Sequence, residues 1–354
     1  MIMDRLARVR ERMRAHGLEQ VIVTQPQSIY YLTGLWCNPM ERLDALIITK
    51  ERCRMLCYVL AVIEPEGCEV TVYADTGVTI DRLSDLLESG ETGVDGDIPG
   101  RFLLPLMRRR PDVRLQISSC VEEARMIKTP GEIELLRHAS AVTDDVFIRA
   151  FPQLRPGMNE LEFGAVFSDL FLESGAGRIA GDPMVSFGPG TAEPHHDPGA
   201  YRIAHGDTAW VDIGKRIGGY HSDMTRCVFL GACSDEQRRV YETVLEANLA
   251  GIAAVKPGAL LSDVHAAACR VIDRAGYGAY FPHRTSHGIG IDCHEAPFDV
   301  VGERLTLEEG MCFSVEPGVY LPGRFGVRIE DLVVVTAQGC SLLTHAPKEL
   351  TIIG

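Results

Sequence analysis

The sequence predicts an α+β protein of two domains, a smaller α/β domain over residues 1–125 and a larger, pseudo-symmetric domain over residues 126–354. Three observations carry this. The chain has 354 residues, more than a single hydrophobic core usually serves, since cores stop growing at roughly 250 to 300 residues. Short β-rich runs fill the first third, whereas a long helix signal opens near Thr129. Further on, Leu154-Arg155-Pro156-Gly157 is echoed by Val255-Lys256-Pro257-Gly258 at an offset of 101 residues, which Gly175 and Gly276 keep.

Taken in order, Leu6, Val9 and Met13 recur at helical spacing from Met3 to a glycine stop at Gly17. A strand follows at Val21–Thr24, then Tyr30-Tyr31-Leu32-Thr33-Gly34, then strand-like runs at Ala45–Thr49, Met55–Val62 and Val70–Tyr73. At Thr129-Pro130-Gly131-Glu132 a capping threonine, a first-turn proline and a reciprocating acid announce a long helix, which places the domain boundary just before it, near residues 120–130. In each copy of the repeat a helix precedes the Pro-Gly turn and another follows, ended by the glycine. Two such halves imply a cleft between them.

Composition narrows the function. Hydrophobic residues make up 46% and the mean hydropathy is +0.03, so the chain is an ordinary globular one. The net charge of −14 repels phosphate backbones and anionic headgroups, which argues against nucleic acid and membrane partners. The first residues lack the apolar core of a signal peptide, and no segment is apolar enough to span a bilayer. The eleven cysteines form no CxxC pair and read as reduced and buried, hence a cytoplasmic protein.

The chemistry-bearing residues sit at strand ends. Asp212 closes the apolar run Thr208–Ile213, and Asp223 precedes Cys227–Leu230, with Gly218-Gly219-Tyr220 turning between them. A hairpin there brings both carboxylates together, and a buried carboxylate needs a cation. His283, His287 and His294 lie within twelve residues among glycines that forbid a regular helix, so the imidazoles can take separate roles. Glu316 ends the run Phe313–Val315, and Glu330 lies in Val327–Val335, read as one strand in which Arg328 and Glu330 share a face. Arg328 then either neutralises Glu330 or joins it in a site. Four carboxylates and one imidazole suit hard or borderline divalent ions, and five donors are too many for one catalytic zinc. They fit two ions sharing a water that becomes hydroxide and attacks a carbonyl.

These residues resemble the pita-bread metallopeptidases, specifically the Xaa-Pro dipeptidase (prolidase) and Xaa-Pro aminopeptidase branch, from Tyr30–Gly34 to Glu330-Asp331. The resemblance implies a creatinase-like amino-terminal domain before a pita-bread catalytic domain, and hydrolysis of Xaa-Pro bonds in short proline-containing peptides. It further implies a homodimer and two divalent ions, Mn2+ foremost, with Co2+ or Zn2+ as alternatives. It assigns Asp212 to one ion, His287 and Glu316 to the other, and Asp223 and Glu330 to both. Glu316 would also take a proton from the bridging water, His195 would line the substrate pocket, and His294 would stabilise the tetrahedral intermediate. Thr225, Arg328, Tyr220 and His283 are implied as substrate-binding or ligand-orienting residues.

Two positions depart from the family pattern. Ser286 stands where glycine is common, and Phe298 where some family dipeptidases carry an arginine that grips the dipeptide carboxylate. With Arg328 occupied by Glu330, Arg324 is one remaining candidate cation, and peptides longer than two residues are expected to be accepted. Methionine aminopeptidase normally lacks the first domain, and creatinase does not keep all five ligands. A non-catalytic peptide- or protein-binding module on the same fold is the alternative from another class, and it would be expected to have lost ligands.

Overall fold

The computed structural model describes residues 2–60, 62–75, 79–175, 183–298 and 304–354. The chain divides into two compact units, Met1–Arg125 and Met126–Gly354.

In the first unit α1 (Ile2–Ala15), β1 (Gln20–Val23), α2 (Pro26–Thr33), β2 (Ala45–Thr49), β3 (Cys53–Tyr58) and β4 (Glu69–Tyr73) precede α3 (Thr79–Asp85), β5 (Gly90–Val94), α4 (Gly100–Arg109), β6 (Val113–Ile117) and α5 (Cys120–Met126). The strands form one mixed sheet in the order β4-β3-β2-β1-β5-β6. Every residue of β1 and β2 is buried, which explains why both read as continuous apolar runs rather than alternating ones. Tyr30-Tyr31-Leu32-Thr33 closes α2, with Gly34 left-handed at its end. The run expected over Met55–Val62 starts earlier and stops at Tyr58; Leu60 is exposed, and residue 61 lies outside the described residues. Cys53 and Cys68 are joined in a disulfide, so the reading of all eleven cysteines as reduced is corrected for this pair. Cys233, Cys269, Cys293 and Cys340 are only partly buried.

The second unit opens with α6 (Pro130–Ala150), whose capping box is formed: Thr129 Oγ1 accepts from Glu132 N, and Glu132 Oε2 accepts from Thr129 N at 2.7 Å. There follow α7 (Glu160–Glu173), β7 (Met184–Phe187), β8 (Thr208–Asp212), β9 (Arg216–Ile217), β10 (Tyr220–His221) and β11 (Thr225–Leu230). The second half contains α8 (Asp235–Ala254), α9 (Leu261–Arg274), β12 (His287–Gly288), β13 (Glu295–Phe298), β14 (Cys312–Val315), β15 (Gly318–Leu321), β16 (Phe325–Arg328), β17 (Asp331–Thr336), β18 (Gly339–Leu342) and β19 (Ile352–Ile353). Two sheets, ordered β19-β11-β8-β7 and β13-β12-β14-β17-β18, form its β layers.

The repeat is structural. α7 and α9 each span 14 residues, and their first residues, Glu160 and Leu261, keep the 101-residue offset. Gly157 and Gly258 turn with φ of 83° and 82°, and each donates to a matching carbonyl, Ile203 at 2.8 Å and Leu307 at 2.9 Å. β8-β11 and β14-β17 are therefore equivalent antiparallel pairs, one in each half. β8 is buried on both faces. Val211 packs with Phe163 and Phe167 on one side, while Trp210 packs with Phe229 and Tyr241 on the other.

Candidate metal centre

The equivalent strand pairs set out the acids. Asp212 ends β8 directly opposite Thr225 of β11, and Asp223 lies just before β11. The chain returns through β9 and β10, passing so close that a Cβ on Gly214 would lie 1.8 Å from the Ser222 carbonyl oxygen. Only glycine allows that approach, and the approach draws the two carboxylates together. In the other half Glu316 follows β14 and its N–H donates to Thr285 O at 2.9 Å, while Glu330 precedes β17 and its N–H donates to Thr225 O at 3.2 Å. His287 on β12 is held by its N–H to Ser314 Oγ at 3.0 Å, and its Nδ1 is 3.1 Å from the Gly288 carbonyl. A carbonyl only accepts, so Nδ1 carries the proton and Nε2 presents a lone pair. That atom lies 3.4 Å from Glu316, 3.8 Å from Asp223 and 3.8 Å from Glu330.

Ligand atoms of Asp212, Asp223 and Glu330 lie within 4.8 Å of one another, as do those of His287, Glu316 and Glu330. Asp223, His287 and His294 form a third such group. Burial and the repulsion of Asp212 push the Asp223 carboxyl up to about 7. Burial, opposed by Arg328 and reinforced by Asp212 and Asp223, pushes Glu316 up to about 8. Glu330 is raised well above the carboxylate range by burial and by its three acidic neighbours. Burial and the neighbouring His294 depress His287 to about 4, so it stays neutral. Glu330 Oε2 accepts from Thr225 Oγ1 at 3.0 Å, but its buried Oε1 has no hydrogen-bond partner among the described residues. An orphaned buried carboxylate oxygen among three further acids is what a divalent cation satisfies, and the oxygen-rich donor set fits hard or borderline ions.

Arg328 is corrected in its partner. The expected strand Val327–Val335 breaks at Ile329-Glu330, between β16 and β17, so Arg328 and Glu330 do not share a strand face. The guanidinium stacks 4.5 Å over the Trp210 ring and donates from Nη2 to Asp212 at 2.6 Å. By the alternation of β8, Asp212 shares Trp210's face. Arg328 Nε donates to Thr225 Oγ1 at 3.0 Å, and that hydroxyl donates onward to Glu330. One cation thus orients two acids, one directly and one through Thr225.

The four acids, His287 and Arg328 line a cavity of about 460 Å³ together with His195, His283, Arg284, Cys293 and His294. A larger cavity of about 730 Å³, walled mainly by apolar residues such as Phe151, Leu230 and Ile353, holds none of the acid cluster. His294 stacks on His287 with centroids 3.8 Å apart and is exposed in the cavity wall. His283 Nδ1 donates to the Arg284 carbonyl at 2.8 Å, so Nε2 accepts from the Tyr320 hydroxyl at 2.9 Å. Tyr220 is set apart: it is buried, and its hydroxyl donates to Glu132 Oε1 at 2.6 Å on the α6 side rather than facing the cavity.

Three features escaped sequence reasoning. Cys293 Sγ donates to Asp223 Oδ2 at 2.9 Å. The Arg284 guanidinium sits 4.9 Å over the Phe298 ring, because β12 pairs His287 with Phe298 and brings residue 284 beside it. Lys128 and Glu295 form an ion pair at 3.1 Å with both side chains buried, and Glu295 also accepts from Asp292 N at 3.2 Å. Arg284, Cys293 and Glu295 each adjoin a singled-out histidine, but their partners lie too far off in the chain for any period to pair them.

Residues 134–337 match the metallopeptidase family M24, and residues 5–127 match the creatinase/prolidase N-terminal domain. The chain is 36% identical over 345 residues to an Xaa-Pro dipeptidase of Lactobacillus helveticus, covering 94% of each protein. It superposes on a recombinant prolidase from Thermococcus sibiricus with a TM-score of 0.93 at 32% identity, over 100% of this chain and 99% of that one. An X-Pro aminopeptidase from Thermotoga maritima gives a TM-score of 0.86 at 27% identity, over 98% and 99% of the two chains.

Proposed function

The chain belongs to metallopeptidase family M24, and from that premise we propose that it hydrolyses the Xaa-Pro bond of short peptides with two divalent ions. The observation that carries the reading is the partnerless buried Oε1 of Glu330 inside a five-donor cluster that opens on a cavity. Asp212 would hold one ion and His287 with Glu316 the other, with Asp223 and Glu330 shared. Mn2+ suits a set of four carboxylates and one imidazole best, ahead of the softer Zn2+. When bound, the two ions supply an acidified water and polarise the scissile carbonyl.

The chain's own groups do the rest. Glu316, only partly buried at the cavity wall, takes the proton of the attacking water and passes it to the departing proline nitrogen. His294 donates to the carbonyl oxygen as negative charge develops there. His195, also in the cavity wall, contacts the substrate. Arg328 keeps Asp212 aimed through a direct hydrogen bond.

Metal analysis of the purified protein, run beside hydrolysis of Xaa-Pro dipeptides and Xaa-Pro-containing tripeptides, tests this. Two ions per chain and cleavage before proline are expected. A single ion at saturating metal, or no cleavage of any Xaa-Pro peptide, overturns it.

A further inference from the structure

We infer that Glu160 and His196 are a positioning pair that fixes the His195 imidazole in the cavity wall, an inference resting on the reading of His195 as a substrate-facing group. No hydrogen bond among the described residues orients the His195 ring itself. Its placement depends on its neighbours in the chain, and both are pinned. On one side the Pro194 carbonyl accepts from Arg328 Nη1 at 2.9 Å, which ties it to the guanidinium that holds Asp212. On the other side His196 Nε2 lies 3.0 Å from Glu160 Oε2.

Glu160 is built as an anchor. It is the first residue of α7, behind the Asn159 cap, and is 1% exposed. Besides His196 it accepts from Phe187 N at 2.8 Å and Gly199 N at 2.7 Å, the two ends of the segment that carries His195. Three donors offset the cost of burying one carboxylate, and they close residues 187–199 into a loop of defined width. The His196 ring is also held from outside by Glu193, 3.1 Å from Nδ1. Both partners are acceptors, so both ring nitrogens donate when the imidazole is charged. Burial opposes that charge, but Glu160 and Glu193 outweigh it and the pKa is raised. Gly190 lies against the ring, where a Cβ would come within 2.8 Å of Cε1. Among the described residues neither Glu160 nor His196 bonds to a member of the acid cluster, so loss of the pair should leave the ions in place.

The test is a double-mutant cycle of Glu160→Gln with His195→Ala, reading kcat and KM for an Xaa-Pro dipeptide alongside metal content. In the wild-type background E160Q should raise KM about tenfold with metal retained, because displacements near 1 Å cost up to about a hundredfold. In the H195A background the same change should cost less than about twofold, since a residue acting through His195 has nothing left to position. An equal cost in both backgrounds, or parallel loss of metal, overturns the pair. His196→Asn, which keeps one donor, should show the same pattern more weakly and stands in if E160Q does not fold. The imidazole NMR signal of His195, assigned by its absence in H195A, needs no activity: it should shift or broaden in E160Q and H196N, and an unchanged signal overturns the inference. A wild-type protein that cleaves no Xaa-Pro peptide while this signal moves would fault the proposed function and leave the pair standing.

Discussion

At the scale of single residues, Asp223 and Glu330 are distinguished from the other acids because each belongs to two of the three ligand groups, and Glu330 also carries the unsatisfied oxygen. Asp223→Asn should therefore release both ions and remove nearly all turnover, checked by metal analysis after dialysis. Wild-type turnover in that variant would mean the ligand assignment is wrong. His294 differs, being stacked on His287, a proposed ligand, while exposed at the cavity. His294→Ala should keep its metal and lose roughly 10²- to 10³-fold in kcat, the usual cost of a deleted oxyanion donor. Metal loss in step with activity would make it a ligand instead.

At the scale of elements, the pairing of β12 with β13 changes the expectation about substrate length. Phe298 carries no charge, but it supports the Arg284 guanidinium on its ring, at the wall of the cavity. Arg324, by contrast, is bound to Glu236 on the surface. A stacked guanidinium is a fixed cation, able to pair with the free carboxylate of a dipeptide. Arg284→Ala should lower kcat/KM for an Xaa-Pro dipeptide by about tenfold or more, near 1.4 kcal/mol of transition-state binding, and leave the carboxamide of the same dipeptide unaffected. Equal losses on both substrates would show that Arg284 grips no carboxylate and that tolerance of longer peptides stands as first expected.

At the scale of the whole molecule, the cluster ties stability to pH and metal. Asp223 near 7 and Glu316 near 8 titrate above an unfolded carboxylate, so the native metal-free chain binds more protons than the unfolded one across that interval. Stability from these groups is fully present below about pH 4 and is lost as pH rises through 7 to 8. A bound dication reverses the sign by favouring the ionised carboxylates. The gap in Tm between metal-loaded and chelated protein should therefore widen from pH 5.5 to pH 8.5. A gap of the same size at both pH values would count against the cluster as the metal site.

The sequence by itself determined the two-part α+β organisation, the capped start of α6 and the helical repeat, because caps, turn glycines and hydrophobic periods act within a few residues of chain. The acids were legible for a related reason: a carboxylate ending an apolar run is costly alone, whatever it later meets. Partners were another matter. Arg328 was read against Glu330, two residues away, whereas folding breaks the strand and delivers it to Asp212, 116 positions back in the chain. Tyr220 turned toward α6, Cys293 met Asp223, Arg284 found Phe298, and Cys53 joined Cys68. Local spacing governs which backbone forms; only tertiary packing decides which side chains meet.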